Sequence, residues 1–273
     1  MRIFTKATTI AACVGLIAAC TSEPRQPAAD VEPTPEPTAV AEPVQPAAET
    51  ADAGAPEGEP GEIKIKVAFE GQKPKAKPLN RKADPYCAKT KRMDETVAFS
   101  ESGALKNVVV SIADKVKGDF EVPAEAISIH QEECMYSPRV VAGMVGQKVE
   151  IKNGDKTLHN VHAYKGMNES NWFNTAQPPN SPVLSKELGN DEIAHLKCDV
   201  HPWMTSWISI SEHPFNKVVD DEGSVHFTDV PARAKPYKLT AWHEKFGKKE
   251  VEVMVEPGKT AEVTITYKAD GQG

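Results

Sequence analysis

Five cysteines stand in 273 residues, and no two of them form the Cys-x-x-Cys-His run that attaches c-type haem. Covalent haem is therefore excluded. The sequence has no apolar stretch of about 20 residues, the length a membrane-spanning helix needs, and no long amphipathic pattern of helical period. A helical bundle and a helical membrane domain are both ruled out. No glycine-rich phosphate loop and no nucleophile elbow is present, and Ser206 stands outside any hydrolase spacing, so a hydrolytic enzyme is not expected. The net charge is −7, most of it in one N-terminal stretch, which leaves residues 61–273 close to neutral. Such a balance gives no footprint for nucleic acid.

What the chain does have is the run Cys198-Asp199-Val200-His201-Pro202-Trp203-Met204. It places a thiolate, an imidazole and a thioether within seven residues. A second imidazole lies upstream in Leu158-His159-Asn160-Val161-His162. One thiolate with two imidazoles and a weak thioether is the donor set of mononuclear electron-transfer copper, because soft sulfur stabilises Cu(I) while nitrogen keeps Cu(II) accessible. The dinuclear copper centre of terminal oxidases needs two bridging cysteines, and this loop has one. Structural zinc prefers a closed set of four Cys or His ligands and has little use for Met204. The bland alternative is that Cys198, Trp203, Met204 and Trp207 simply fill a core.

His159-Asn160 together with Cys198, His201 and Met204 resembles the cupredoxin, or blue-copper, arrangement. More narrowly, Cys134 to Pro138, Leu158 to His162, Cys198 to Met204 and Ala241 to Glu244 resemble exported bacterial plastocyanin-like proteins, sometimes labelled methylamine-utilisation proteins. Those proteins carry a carboxypeptidase regulatory-like module. The resemblance covers about residues 61–268. It implies one copper per chain, with His159, Cys198 and His201 as strong ligands and Met204 as the long axial one. It departs at Arg139, where relatives often have histidine. His162 is a possible additional ligand, although three residues along a strand turn its ring to the opposite face unless a bulge intervenes.

The N-terminus sets the expected compartment. Arg2 and Lys6 precede an apolar run from Thr8 to Ala19, and Ile17-Ala18-Ala19-Cys20 resembles a bacterial lipobox. Residues 1–19 are expected to be a lipoprotein signal peptide and Cys20 the lipidated residue, anchoring the chain to a membrane of the bacterial envelope and facing the periplasm. Thr21 lacks the aspartate associated with inner-membrane retention, which favours the outer membrane. From Thr21 to Pro60 the chain has nine prolines, nine acidic residues and one arginine. With no core to bury, residues 20–60 read as a disordered tether.

The remainder reads as all-β. Residues 62–69 alternate with period two, and 105–112, 148–152, 207–210, 225–227, 237–242, 249–255 and 261–267 read as strands between turn signals. They suggest a cupredoxin-type Greek-key sandwich over 61–213 and a second, smaller β-sandwich resembling the regulatory-like module over 214–273, with 62–69 also able to pair in the latter. With Cys198 assigned to copper, Cys87 and Cys134 are left for a disulfide in an oxidising compartment; the alternative is a second copper or thiol site with Met93, Met135 or His130. His243-Glu244 reads as structural, since adjacent strand residues face opposite ways.

Three functions fit this reading: an electron carrier passing electrons to a periplasmic redox protein such as a c-type cytochrome, a copper scavenger or donor to a copper acceptor, and a metal-free structural or carbohydrate-binding sandwich. None is an enzyme.

Overall fold

A computed structural model describes residues 59–166 and 168–269. The expected signal peptide, the Cys20 anchor and all but the last two residues of the 20–60 tether lie outside them.

Alternation of apolar and charged side chains builds the first strand, β1 (Gly61–Glu70), in which Ile63, Ile65 and Val67 are buried while Lys64 and Lys66 are exposed. β1 joins antiparallel to β13 (Ser224–Val230) and parallel to β16 (Thr260–Lys268). Facing this sheet is a second, of order β12-β2-β14-β15, made by Asn216–Val218, Val109–Ile112, Tyr237–His243 and Gly247–Val253. Their inner faces share one core with Val110, Leu239, Phe227, Ile265 and Tyr267. The N-terminal strand thus belongs with strands beyond residue 214, because only that sheet offers it partners on both edges.

The other sandwich is continuous in sequence. One sheet runs β4-β3-β6-β9, from Met135–Ser137, Ile127–Glu132, Lys148–Asn153 and Leu184–Glu187. Its partner runs β5-β11-β10-β7-β8, from Val140–Met144, Thr205–Ser211, Glu192–Lys197, His159–Lys165 and Ser170–Gln177. β6 neighbours β9 and β7 neighbours β10, the interleaved connectivity of a Greek-key sandwich. Ile129, Val149, Ile151, Val161, Leu196 and Ile208 fill the space between. The chain is all-β as expected, two sandwiches with no α-helix among the described residues.

Between β1 and β2 an irregular arm reaches this second body, where its Asp84 Oδ2 accepts from Thr157 Oγ1 at 2.8 Å. Leu79 N donates to Arg92 O at 2.9 Å and Asp94 N to Lys77 O at 2.7 Å, so residues 77–94 form a closed arm rather than a free loop. A disulfide from Cys87 to Cys134 fastens its tip.

Candidate metal centre

His159 opens β7, and the loop from β10 into β11 carries Cys198, His201 and Met204. The loop turns sharply at Pro202, with His201 O accepting from Met204 N at 2.9 Å. Asn160 holds its first residues: its Oδ1 accepts from Asp199 N at 2.7 Å and lies 3.4 Å from Cys198 Sγ. The Asn160 Nδ2 in turn donates to Asn174 Oδ1 and Asp199 Oδ2, each at 2.9 Å. Asn160 is therefore the clamp that fixes the thiol beside the first histidine.

The ligand atoms of His159, Cys198 and His201 all lie within 4.8 Å of one another, and all three residues are buried. His159 Nδ1 faces His201 Nδ1 at 2.9 Å, and His201 Nδ1 is 3.8 Å from Cys198 Sγ. The opposite ring nitrogens are both engaged by carboxylates: His159 Nε2 meets Asp155 Oδ2 at 2.8 Å, and His201 Nε2 meets Asp84 Oδ2 at 2.9 Å. With the Nε2 protons assigned to those carboxylates, each Nδ1 presents a lone pair to the other. Two buried lone pairs at that distance repel unless a cation lies between them. Nitrogens each about 2 Å from one ion would stand about 3 Å apart, so the pair fits a shared metal. A carboxylate on the outer nitrogen is the usual way a ligating imidazole is oriented and made more basic.

The electrostatics follow from those contacts. Burial raises the Cys198 thiol, but hydrogen bonding to His159 and to backbone at Asn160, His201 and Val200 outweighs it and holds the group below its ordinary value. Burial lowers His159, yet Asp155 and Cys198 bring it above its ordinary value. His201 stays below its own, because burial and the neighbouring His159 outweigh Asp84. For Asp84 burial acts upward, and hydrogen bonds from Thr157, His201 and the amides of Tyr86 and Cys87 win, taking it down to about 2.

Met204 is buried and, with Cys198, lines a cavity of about 380 Å³ that also touches His195 and Pro202. His162 is not in the cluster. β7 is regular from His159 to Ala163, so its ring turns away, to Asp199 Oδ1 at 3.0 Å and Asn171 Oδ1 at 3.1 Å. Cys87 and Cys134 are joined as a disulfide, so neither is free for a second thiol site; His130 is exposed on β3 and Met93 exposed on the arm. Cys134 sits in a tight turn with Glu133, both at positive φ, 56° and 50°. Asp155 stabilises that conformation by accepting from both amides at 2.8 Å. One carboxylate thus braces both His159 and the disulfide turn.

Arg139, the departure from the resemblance, is buried and paired through two nitrogens with Glu244 of the other sandwich, one contact at 2.9 Å, and donates to Thr96 Oγ1 at 3.2 Å. It serves as a tie between bodies. His243 points the other way, into the core between the sheets of β1 and β14. Trp203 is half-buried, its Nε1 on Cys134 O at 3.0 Å and its ring 5.1 Å from that of His201.

Asp84 and Asp155 were not singled out by sequence, and Asn160 entered only as part of the His159-Asn160 pair, with no role of its own. Asp155 lies in a turn signal four residues before His159, a spacing that hinted at proximity; Asp84 reaches His201 across 117 residues and left no local sign.

No protein-family model matches the chain, and no curated protein matches it. Solved structures do. A purple cupredoxin from Nitrosopumilus maritimus is 20% identical over 31% of this chain and 99% of its own, with a TM-score of 0.28. Amicyanin from Paracoccus versutus is 21% identical over 37% of this chain and 96% of its own, also with 0.28. For a copper-containing nitrite reductase from Thermus scotoductus the figures are 16%, 37% and 0.28, and this chain spans only 25% of that one.

Proposed function

We propose that this protein binds one copper ion and acts as an electron carrier. The observation that supports it most is the convergence of two imidazole lone pairs and one thiol of lowered pKa in a buried pocket, each imidazole braced from behind by a carboxylate. His159 Nδ1, His201 Nδ1 and Cys198 Sγ would hold the ion, with Met204 as a weak fourth donor. When bound, copper would supply a one-electron couple between Cu(II) and Cu(I). The protein's part is to keep both imidazoles in one orientation, to exclude water, and to hold the thiol ready as thiolate.

Retention rather than delivery is the favoured use. His201 is 1% exposed and lies behind Asp84, with Cys87 Sγ 3.5 Å from its Nε2, so a disulfide-fastened arm holds this donor in place. In this reading the carrier is a lipid-anchored, periplasm-facing protein of the bacterial envelope, serves a redox protein such as a c-type cytochrome, and is not itself an enzyme.

Copper loading followed by optical and electron paramagnetic spectroscopy tests the reading. The oxidised protein should show an intense visible thiolate-to-copper band and one copper per chain, and Cys198→Ser should abolish the band. A band that persists in Cys198→Ser sinks the assignment. Prompt transfer of the metal to an apo-acceptor, without electron exchange, would favour delivery.

A further inference from the structure

The arm that covers His201 is strongly basic. Residues 71–93 hold eight Lys or Arg against a single carboxylate, Asp84, and that carboxylate is spent on His201. Residues 61–273 carry 29 basic against 30 acidic side chains, so everything outside the arm is left at −8 while the arm stands at +7. Lys75, Lys82 and Lys91 are exposed and meet no carboxylate at ion-pair distance among the described residues. Nor is the arm a floppy tail. The Arg81 guanidinium is buried and spent on the carbonyls of Glu133 and Thr90 and on Thr90 Oγ1, and Arg92 pairs with Glu133 and Glu95 at 3.1 and 3.2 Å.

Between its two sides the arm forms a groove of about 350 Å³, floored by Leu79 and Ala88 and edged by Arg81, Lys82, Lys91 and Arg92. Ala88 is the neighbour of Cys87, whose sulfur is 3.5 Å from His201 Nε2. A body seated in the groove would therefore be one residue removed from the atom that touches the candidate ligand. Electron transfer weakens steeply with distance, and a partner docked here has a short path through Cys87 to His201.

We propose that this groove is the docking surface for an acidic redox protein, which inserts a carboxylate-bearing edge between Lys82 and Lys91. The partner's being a redox protein rests on the electron-carrier reading; the acidic docking does not. The −8 on the rest of the folded chain repels the same partner and orients it, and opposed potentials of this kind set encounter rate and orientation more than final affinity. A concave site suits a protein edge better than a flat lipid surface.

The test uses the full chain, copper-loaded and metal-free, with a short polyglutamate peptide as probe and amide chemical shifts as readout. Shifts should cluster on 79–92, shrink with added salt, and the affinity should fall about tenfold in Lys82→Glu/Lys91→Glu. Lys64→Glu/Lys66→Glu, which changes net charge equally on the outer face of β1, should leave affinity unchanged. An unaltered copper band in both variants separates this result from the fate of the copper reading, since docking can fail with copper bound and persist without it. Equal weakening by both pairs, or a footprint elsewhere, overturns the proposal. So does binding of anionic phospholipid vesicles through Lys82 and Lys91 without peptide binding. Peptide binding seen only after the carboxylates of residues 21–60 are changed to amides would assign the groove to the chain's own acidic stretch, and would overturn it too.

Discussion

The two sandwiches are built from similar sheets but bury different chemistry. The sandwich of β3–β11 buries Gln131, Asn153, Asp155, His159, Asn160, Gln177 and His201 at one end, and nearly every polar atom there finds a partner. The sandwich of β1, β2 and β12–β16 has a core of Ile, Val, Leu, Phe and Tyr, with Tyr237 and Tyr267 hydroxyls on backbone carbonyls. Its one discord is His243, fully buried, with Nδ1 accepting from Lys245 N and Nε2 without any partner. A satisfied polar network can specify one geometry at little net gain, whereas an apolar core stabilises without specifying a site. Position and stability are thus divided between the two bodies.

The Arg139–Glu244 pair is where that division is bridged, and breaking it should have the largest effect. Arg139→Met strands a buried carboxylate and is expected to cost about 3–5 kcal/mol in urea unfolding. Arg139→Met combined with Glu244→Leu should recover most of the loss. If the double variant is as unstable as the single, the tie works by packing and not by charge.

His243 gives the second test. Burial pushes it down to about 4 from the ordinary 6.5. Between those values the unfolded chain binds a proton that the folded one refuses, so stability should fall as pH drops from about 6.5 to about 4 and flatten below. The span corresponds to about 3 kcal/mol. His195 and His213 are lowered by burial as well, so the slope will not vanish altogether in His243→Phe, but it should be visibly reduced. An unchanged slope would mean that His243 is already protonated or already paired in solution.

The smallest effect belongs to the other body. Met204→Leu conserves volume in a buried position, so stability should change by less than about 1.5 kcal/mol. The copper-loaded protein should keep its band and show a raised potential, because a weak donor to Cu(II) is lost. Loss of copper altogether would make Met204 a principal ligand.

Legibility differed between the bodies for physical reasons. β1 and β16 alternate cleanly because each has one wet face and one dry face, β14 does so until Trp242 is buried against Trp207, and residues 62–69, 237–242 and 261–267 already read as strands. β7 and β8 did not. His-Asn-Val-His and Ser-Asn-Trp-Phe-Asn have too few apolar residues for a period-two signal, since β7 buries His159 and Asn160 beside Val161 and Ala163 and β8 is largely exposed. Leu105 also fell outside a strand; Phe99 pairs with it in an isolated bridge. The Cys198 loop was legible because three donors sit in seven residues. Its carboxylate supports were not, because sequence distance hides Asp84 and turn chemistry disguises Asp155.

The parallel pairing of β1 with β16 joins Glu62 to Thr260, residues 198 apart. During synthesis the Ile63-Ile65-Val67 face is made well ahead of its parallel partner strand, a wait of those 198 residues. The other sandwich, whose strands all fall between Ile127 and Ser211, needs no such wait for its sheets. Contacts of long sequence separation form late because closing the chain costs entropy before it is repaid. The outer sandwich therefore closes around a finished insert, like a clasp shut from both ends, and removing either terminal strand would open the clasp while leaving the insert's own ladders intact.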